Sequence, residues 1–151
     1  MTRVSHVVRQ EFESLKVTRL LFWVLPLVFF TLFPIGWLGE VYRPVGRVLD
    51  NHFGSVTAHA VAHALIFFLL GLALLGAFPV LRARPLLFFG VVLLFALGQE
   101  GLQLLYKQRP LVYDDFRDLV VDGTGAAAAY ALFRALGANR TKDSTSTLRV
   151  L

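Results

Sequence analysis

The residues that could do chemistry lie near the ends of long apolar runs. They are two histidines, two aspartates, a glutamate and a glutamine: His59, His63, Asp118, Asp122, Glu100 and Gln103. An ionisable side chain in the hydrocarbon core of a membrane costs about 2.5 to 3.5 kcal/mol on insertion scales, so such residues usually pair and mark a site. We therefore expect these side chains to form one polar cluster.

The spacing places each pair on one helix face. The histidines and the aspartates are four residues apart and Glu100 and Gln103 are three apart, both of which bring side chains together on a helix. We predict Glu100 as general acid or base, His63 as its partner and Asp118 as a third catalytic group. The predicted binding or orienting residues are Gln103, Asp122, Arg109 and His59. A His, Glu and Asp set without thiolates also suits borderline to hard divalent metals, so a metal site is an open alternative.

A purely structural role is the competing interpretation for several of these residues. Polar contacts between membrane helices contribute roughly 0.6 to 2 kcal/mol each and specify which faces meet. Gln103 fits that role, and Gly125 with Ala129 forms a small-xxx-small pair that predicts close helix packing. For His59 the alternative is an interfacial histidine that faces water.

Composition places the chain among integral membrane proteins. Its 151 residues are 56% hydrophobic, with a mean hydropathy of +0.65 and 14 Phe. The apolar residues come in long runs rather than in the amphipathic stripes of soluble domains. The lack of cysteine excludes disulfides and thiolate chemistry. The net charge of +5 comes from basic residues that flank apolar runs, so we predict membrane lipids as partners and no nucleic acid.

We predict an all-α membrane protein with four transmembrane helices. The predicted spans are about Leu20–Leu38, kinked at Pro26 and Pro34, then Val56–Val80, Pro85–Tyr106 and Asp118–Leu136, each near the roughly 20 residues that cross a bilayer. Residues 1–19 have helical apolar spacing among charges, which predicts an amphipathic interfacial helix; a solvated tail is the alternative. The domain limits are therefore 1–19, 20–136 for the transmembrane domain, and 137–151 for a polar cytoplasmic tail.

The distribution of basic residues predicts that both termini are cytoplasmic. With the N-terminus inside, ten basic residues are cytoplasmic (Arg3, Arg9, Lys16, Arg19, Arg82, Arg84, Arg134, Arg140, Lys142, Arg149) and five are outside (Arg43, Arg47, Lys107, Arg109, Arg117). In this topology the polar residues of the last three spans lie at similar depth. We expect an acidic, histidine-lined pocket that opens outward beneath a loop at 107–117.

An ordered set of short motifs resembles the VanZ-like family of small bacterial integral membrane proteins. The motifs are His63 with 67–71 (HxxxFFLLG), Glu100-x-x-Gln103, Arg109, and Asp118-x-x-x-Asp122-x-x-Gly125. The sequence departs from the family pattern at His59-Ala60, at Asp122 and in the length between Arg109 and Asp118. The resemblance implies a multi-pass protein of the bacterial inner membrane, and its namesake is associated with teicoplanin resistance. It implies a fold and a site more than a reaction.

Three functions are consistent with the sequence. The first is an outward-facing site that acts on a lipid, a lipid-linked precursor or another amphiphile of the cell envelope. The second is a non-catalytic accessory subunit of a larger membrane complex, respiratory or photosynthetic, which packs by its transmembrane helices. The third is a small proton-coupled carrier, for which four spans without a repeat would need oligomerisation.

Overall fold

The computed structural model describes residue 22 and residues 24–33 and 35–147, and this part of the chain contains no strand. The predicted amphipathic helix at 1–19 lies outside the described residues. Within the described residues, a helical stretch at 24–32 is followed by six helices: α1 (Ile35–Val41), α2 (Arg43–Phe53), α3 (Val56–Ala77), α4 (Pro79–Ala83), α5 (Pro85–Lys107) and α6 (Tyr113–Thr147).

Three of the helices are long and apolar enough to cross a membrane. They are α3 over Val56–Ala77, α5 over Pro85–Lys107 and the Tyr113–Gly137 part of α6, with 22, 23 and 25 residues. Large apolar side chains on their outer faces are exposed, such as Leu86 at 88%. Such a surface fits a hydrocarbon surrounding rather than water. The chain therefore has the features of a multi-pass membrane protein.

The region of the predicted first span is divided into two shorter pieces. Residues 24–32 are helical, the chain bends at Phe33, and helix α1 follows from Ile35. The sequence has proline at position 34, where a helix is expected to break because proline lacks a backbone donor. After α1 the chain turns at Tyr42 into α2, which is strongly amphipathic and has no buried residue. The sequence analysis did not anticipate α2.

Helix α6 differs from the predicted fourth span at both ends. It begins at Tyr113 rather than near Asp118, since Asp115 accepts a hydrogen bond of 2.8 Å from the backbone N–H of Val112. Carboxylates in the first turn also favour a helix N-terminus. The predicted loop at 107–117 is consequently only 108–112. At the other end the helix continues to Thr147, within the predicted polar tail.

Helix α3 packs most closely against α6, and small residues make this approach feasible. A Cβ atom added to Gly125 would lie 2.2 Å from the carbonyl oxygen of Ala64, and one added to Gly71 would lie 3.0 Å from the Cβ of Ala129. Gly125 and Ala129 thus lie at the contact between the two helices, where close backbone approach replaces large side chains.

The buried faces of α3, α5 and α6 are apolar at one end and polar at the other. The apolar end consists of Phe67, Leu70, Leu74, Leu75, Phe88, Val92 and Ala126. The polar end consists of His63, Glu100, Asp115, Asp118 and Asp122, all buried. Because α3 starts, α5 finishes and α6 starts at this end, one end of the bundle collects all five side chains.

Candidate functional site

The buried residues follow helical registers that place the polar groups on the inner face. On α5 the buried positions are Phe88, Val92, Ala96 and Glu100, each four residues after the last. On α6 the carboxylates of Asp115, Asp118 and Asp122 follow spacings of three and four, and Gly125 continues the same face. The inner faces therefore continue from the apolar end into the polar end.

His63 and Asp122 form the most deeply buried pair of the site. Nδ1 of His63 lies 3.0 Å from Oδ1 of Asp122, and Asp122 is completely buried. A carboxylate on one ring nitrogen fixes the orientation of the imidazole and favours the tautomer that leaves the other nitrogen as a base. The hydrogen-bond partner of His63 is Asp122, and Glu100, its predicted acid–base partner, lies close by, with ligand atoms within 4.8 Å.

His59 and Asp118 form a second pair, closer to the surface. Nε2 of His59 lies 3.4 Å from a carboxylate oxygen of Asp118, and the side chain of His59 is 42% exposed. The rings of His59 and His63 are 4.6 Å apart between centroids. Asp118 is also 3.3 Å from Arg117, so its charge has a permanent cationic partner. The two histidines thus form a short path from the surface to the buried pair.

Glu100 is buried in this cluster without the hydrogen bonds that a carboxylate needs. It is 4% exposed, and among the described residues no N–H or hydroxyl group donates a hydrogen bond to its carboxylate oxygens, although its side chain contacts the carboxyl group of Asp115. One ligand atom each from Glu100, His63 and Asp122 lie within 4.8 Å of one another. The charges nearest to Glu100 come from His63 and the three aspartates of the polar end.

Asp115 is a buried member of the cluster that the sequence analysis did not place there. Its carboxylate accepts hydrogen bonds from both terminal nitrogens of Arg109, one of them at 2.9 Å. This contact raises the pKa of Arg109, which lies in the 108–112 loop. Arg109 is therefore bound to Asp115 rather than to Glu100, Asp118 or Asp122. The spacing of Asp115 with Asp118 and Asp122 could have placed all three on one helix face. It was missed because residues 107–117 were predicted to form a loop.

A pocket of about 270 Å³ adjoins the histidines. Its lining includes apolar side chains from the stretch before α1, Phe30, Leu32 and Phe33, which we call the apolar wall. The polar side chains of the lining, which we call the polar wall, are Asp50, His59, His63, Gln99, Gln103 and Lys107. Gln103 accepts a hydrogen bond of 3.0 Å from Nζ of Lys107, so these two side chains form one polar unit in that wall.

The comparisons with known proteins provide no relative. The chain matches no family model, no curated protein and no solved structure. Chemically, the site offers two histidine–aspartate pairs, a buried glutamate without hydrogen bonds and a pocket with one apolar and one polar wall. That combination can bind an amphiphile and move protons beside it.

Proposed function

We propose that this chain is a VanZ-like protein that binds an amphiphilic molecule of the cell envelope, a lipid or a lipid-linked precursor, in the pocket beside His59 and His63. The observation that supports this most is the mixed apolar and polar lining of the pocket. Phe30, Leu32 and Phe33 suit an acyl or prenyl chain, while the polar residues of the lining suit a polar headgroup.

The proposed topology has four spans, with the helical stretch at 24–32 and α1 forming the first of them. This stretch supplies the apolar pocket wall, so the pocket depends on its packing against α3 and α5. Both termini would be cytoplasmic, as the excess of basic residues on that side favours. The polar end then faces the outer side of the bacterial inner membrane, where envelope precursors are handled.

The polar wall favours a hydroxyl-rich headgroup, because it carries both the cation Lys107 and the acid Asp50. Lys107 and Gln103 can donate hydrogen bonds to it, and His59 is exposed enough to touch it. Behind His59, the His63–Asp122 pair can accept a proton through the imidazole, because Asp122 stabilises the imidazolium that forms. Glu100 adjoins this pair and provides a second proton-exchanging group.

Lipid retention by the purified full-length chain tests the proposal. The protein is extracted from membranes in a gentle detergent, and native mass spectrometry identifies the lipid that remains bound. Ala62 lines the pocket, so the substitution Ala62→Trp should fill it and reduce the bound fraction at least about tenfold, equivalent to 1.4 kcal/mol. Leu86→Trp is the matched control, since Leu86 is 88% exposed and does not line the pocket.

Two results would count against amphiphile binding. One is equal lipid retention by the Ala62→Trp and Leu86→Trp proteins, both shown to be monodisperse and helical. The other is a wild-type protein that co-migrates at fixed ratio with a large membrane complex and keeps no lipid of its own. That second result would favour the accessory-subunit function instead.

A further inference from the structure

We infer that the polar end binds one divalent transition-metal ion of the Mn²⁺ to Zn²⁺ class, ligated by His63, Glu100 and Asp122. The inference rests on the geometry of these three side chains and does not require the proposed amphiphile. With the ion bound, His63, Glu100 and Asp122 are ligands, so the proton exchange described above belongs to the metal-free protein.

The three ligand atoms are already close to the spacing of a metal site. One atom from each side chain lies within 4.8 Å of the other two. Around an ion with ligand distances of about 2.1 Å, ligand atoms lie roughly 3 to 4.2 Å apart. Contraction of about an ångström or less would complete the site, and small side-chain rotations can supply it. The side chains project from α3, α5 and α6, so three packed helices fix their relative positions.

The second observation is a set of buried oxygens without partners. Within the described part of the chain, neither carboxylate oxygen of Glu100 nor Oδ2 of Asp122 accepts a hydrogen bond from an N–H or hydroxyl group, and the side chain that Glu100 does contact, Asp115, is another acid. Both residues are more than nine-tenths buried. Buried polar atoms are satisfied in the great majority of cases, so three unsatisfied oxygens around one histidine indicate a missing ligand. A cation that accepts oxygen ligands would satisfy them.

The charges of the polar end also favour a cation. Asp115 is paired with Arg109, and Asp118 is paired with Arg117. Glu100 and Asp122 have no arginine or lysine ion pair among the described residues. A divalent ion with two carboxylates and a neutral imidazole gives a neutral cluster, which is the form that a low-dielectric interior tolerates best.

The donor set selects the class of metal. One imidazole with two carboxylates suits Mn²⁺, Fe²⁺ or Zn²⁺ and does not suit the soft Cu(I). The ion would replace the hydrogen bond between His63 and Asp122, and metal binding releases protons from its ligands. His59, His63 and Asp118 form an adjacent triad with ligand atoms also within 4.8 Å, and half-exposed His59 gives the ion a route inward.

Cobalt titration of the full-length protein tests this inference. The chain is purified in mild detergent, stripped with a chelator and titrated with Co²⁺, whose visible absorption reports the coordination sphere. Wild type should bind one Co²⁺ per chain. Glu100→Gln and Asp122→Asn should each weaken binding at least about 100-fold, the upper end of the loss when only an outer-shell partner is removed. Asp114→Asn removes an exposed carboxylate at the same end of α6 and should bind like wild type.

Thermal unfolding gives a readout that does not depend on the spectrum. Co²⁺ should raise the Tm of the wild type and of Asp114→Asn but not that of Glu100→Gln, because an ion that binds the folded state stabilises it. Absence of saturable Co²⁺ binding by the wild type would overturn the inference. So would wild-type affinity in Glu100→Gln, or binding that His59→Gln abolishes and Glu100→Gln leaves intact. If Glu100→Gln does not fold, the Asp122→Asn titration and the wild-type Tm shift decide.

Discussion

Arg82 at the apolar end and Glu100 at the polar end are both charged side chains placed among apolar helices, yet their surroundings differ. Arg82 donates hydrogen bonds of 2.6 Å to the carbonyl oxygens of Leu75 and Gly76, in the last turn of α3. Its guanidinium also lies 5.0 Å from the centre of the Phe133 ring. Glu100 has no hydrogen bond from any described residue.

The difference in hydrogen bonding indicates a structural role for Arg82 and a ligand-binding role for Glu100. The carbonyls of a last helical turn have no partner inside the helix, and a cation there also interacts favourably with the helix dipole. Arg82 therefore completes α3. Glu100 satisfies no unpaired donor among the described residues, and we therefore assign it to a ligand site.

Among the variants that test this comparison, Phe88→Ala at the apolar end should lower the free energy of unfolding the most. Phe88 is fully buried and stacks near Tyr130, with ring centroids 5.4 Å apart. Removal of a buried phenylalanine costs about 3 to 5 kcal/mol in soluble proteins, and we expect the low end, about 3, because lipid tails solvate the unfolded helices well. The measurement is the free energy of unfolding in detergent or bicelles.

Phe89→Ala is the control for that substitution. Phe89 adjoins Phe88 in sequence but is partly exposed, so its loss should cost less than 1 kcal/mol. Equal destabilisation by the two variants would show that the apolar end is not a packed core. The polar end could then no longer be contrasted with a packed apolar end.

The sequence predicted the long helices well because their signal is local. Apolar runs near 20 residues gave α3, α5 and the apolar part of α6, and three-to-four spacing placed His63, Glu100 and the aspartates on helix faces. The predicted loop at 107–117 was too long, and α2 was not predicted at all. The spacing of Asp115 with Asp118 and Asp122 shows that they share a helix face, but the contacts of Asp115 with Arg109 and of Arg82 with α3 depend on tertiary packing, which spacing along one helix does not reveal.

An intermediate loss of stability is expected from Arg82→Met, which keeps an unbranched apolar stem and removes the guanidinium group with its charge. Two carbonyl oxygens of α3 would lose their donors, and hydrogen bonds to a charged group contribute about 1.5 to 3 kcal/mol. Because Arg82 is only partly buried, we expect a loss of about 1 to 2 kcal/mol. Arg84→Met is the matched control and should change the free energy of unfolding by less than about 0.5 kcal/mol, since Arg84 is exposed.

The smallest change in the free energy of unfolding should come from Glu100→Gln, measured in protein from which metal has been stripped. The amide keeps the shape of the side chain and removes a buried ionisable group that accepts no hydrogen bond from the described residues. The free energy of unfolding should stay within about 0.5 kcal/mol of wild type or rise, because no accepted hydrogen bond is lost and a desolvated ionisable group disappears.

Asp115→Asn is the informative counterpart of Glu100→Gln, since the carboxylate of Asp115 is held by Arg109 and by the backbone N–H of Val112. Its loss should destabilise the protein by about 1 kcal/mol or more, as it leaves a guanidinium and an amide N–H with a weaker acceptor. Chelator-treated proteins are compared by unfolding under identical conditions. If Glu100→Gln is destabilised as much as Asp115→Asn, then Glu100 is a structural side chain like Arg82, and the polar end is satisfied without a ligand.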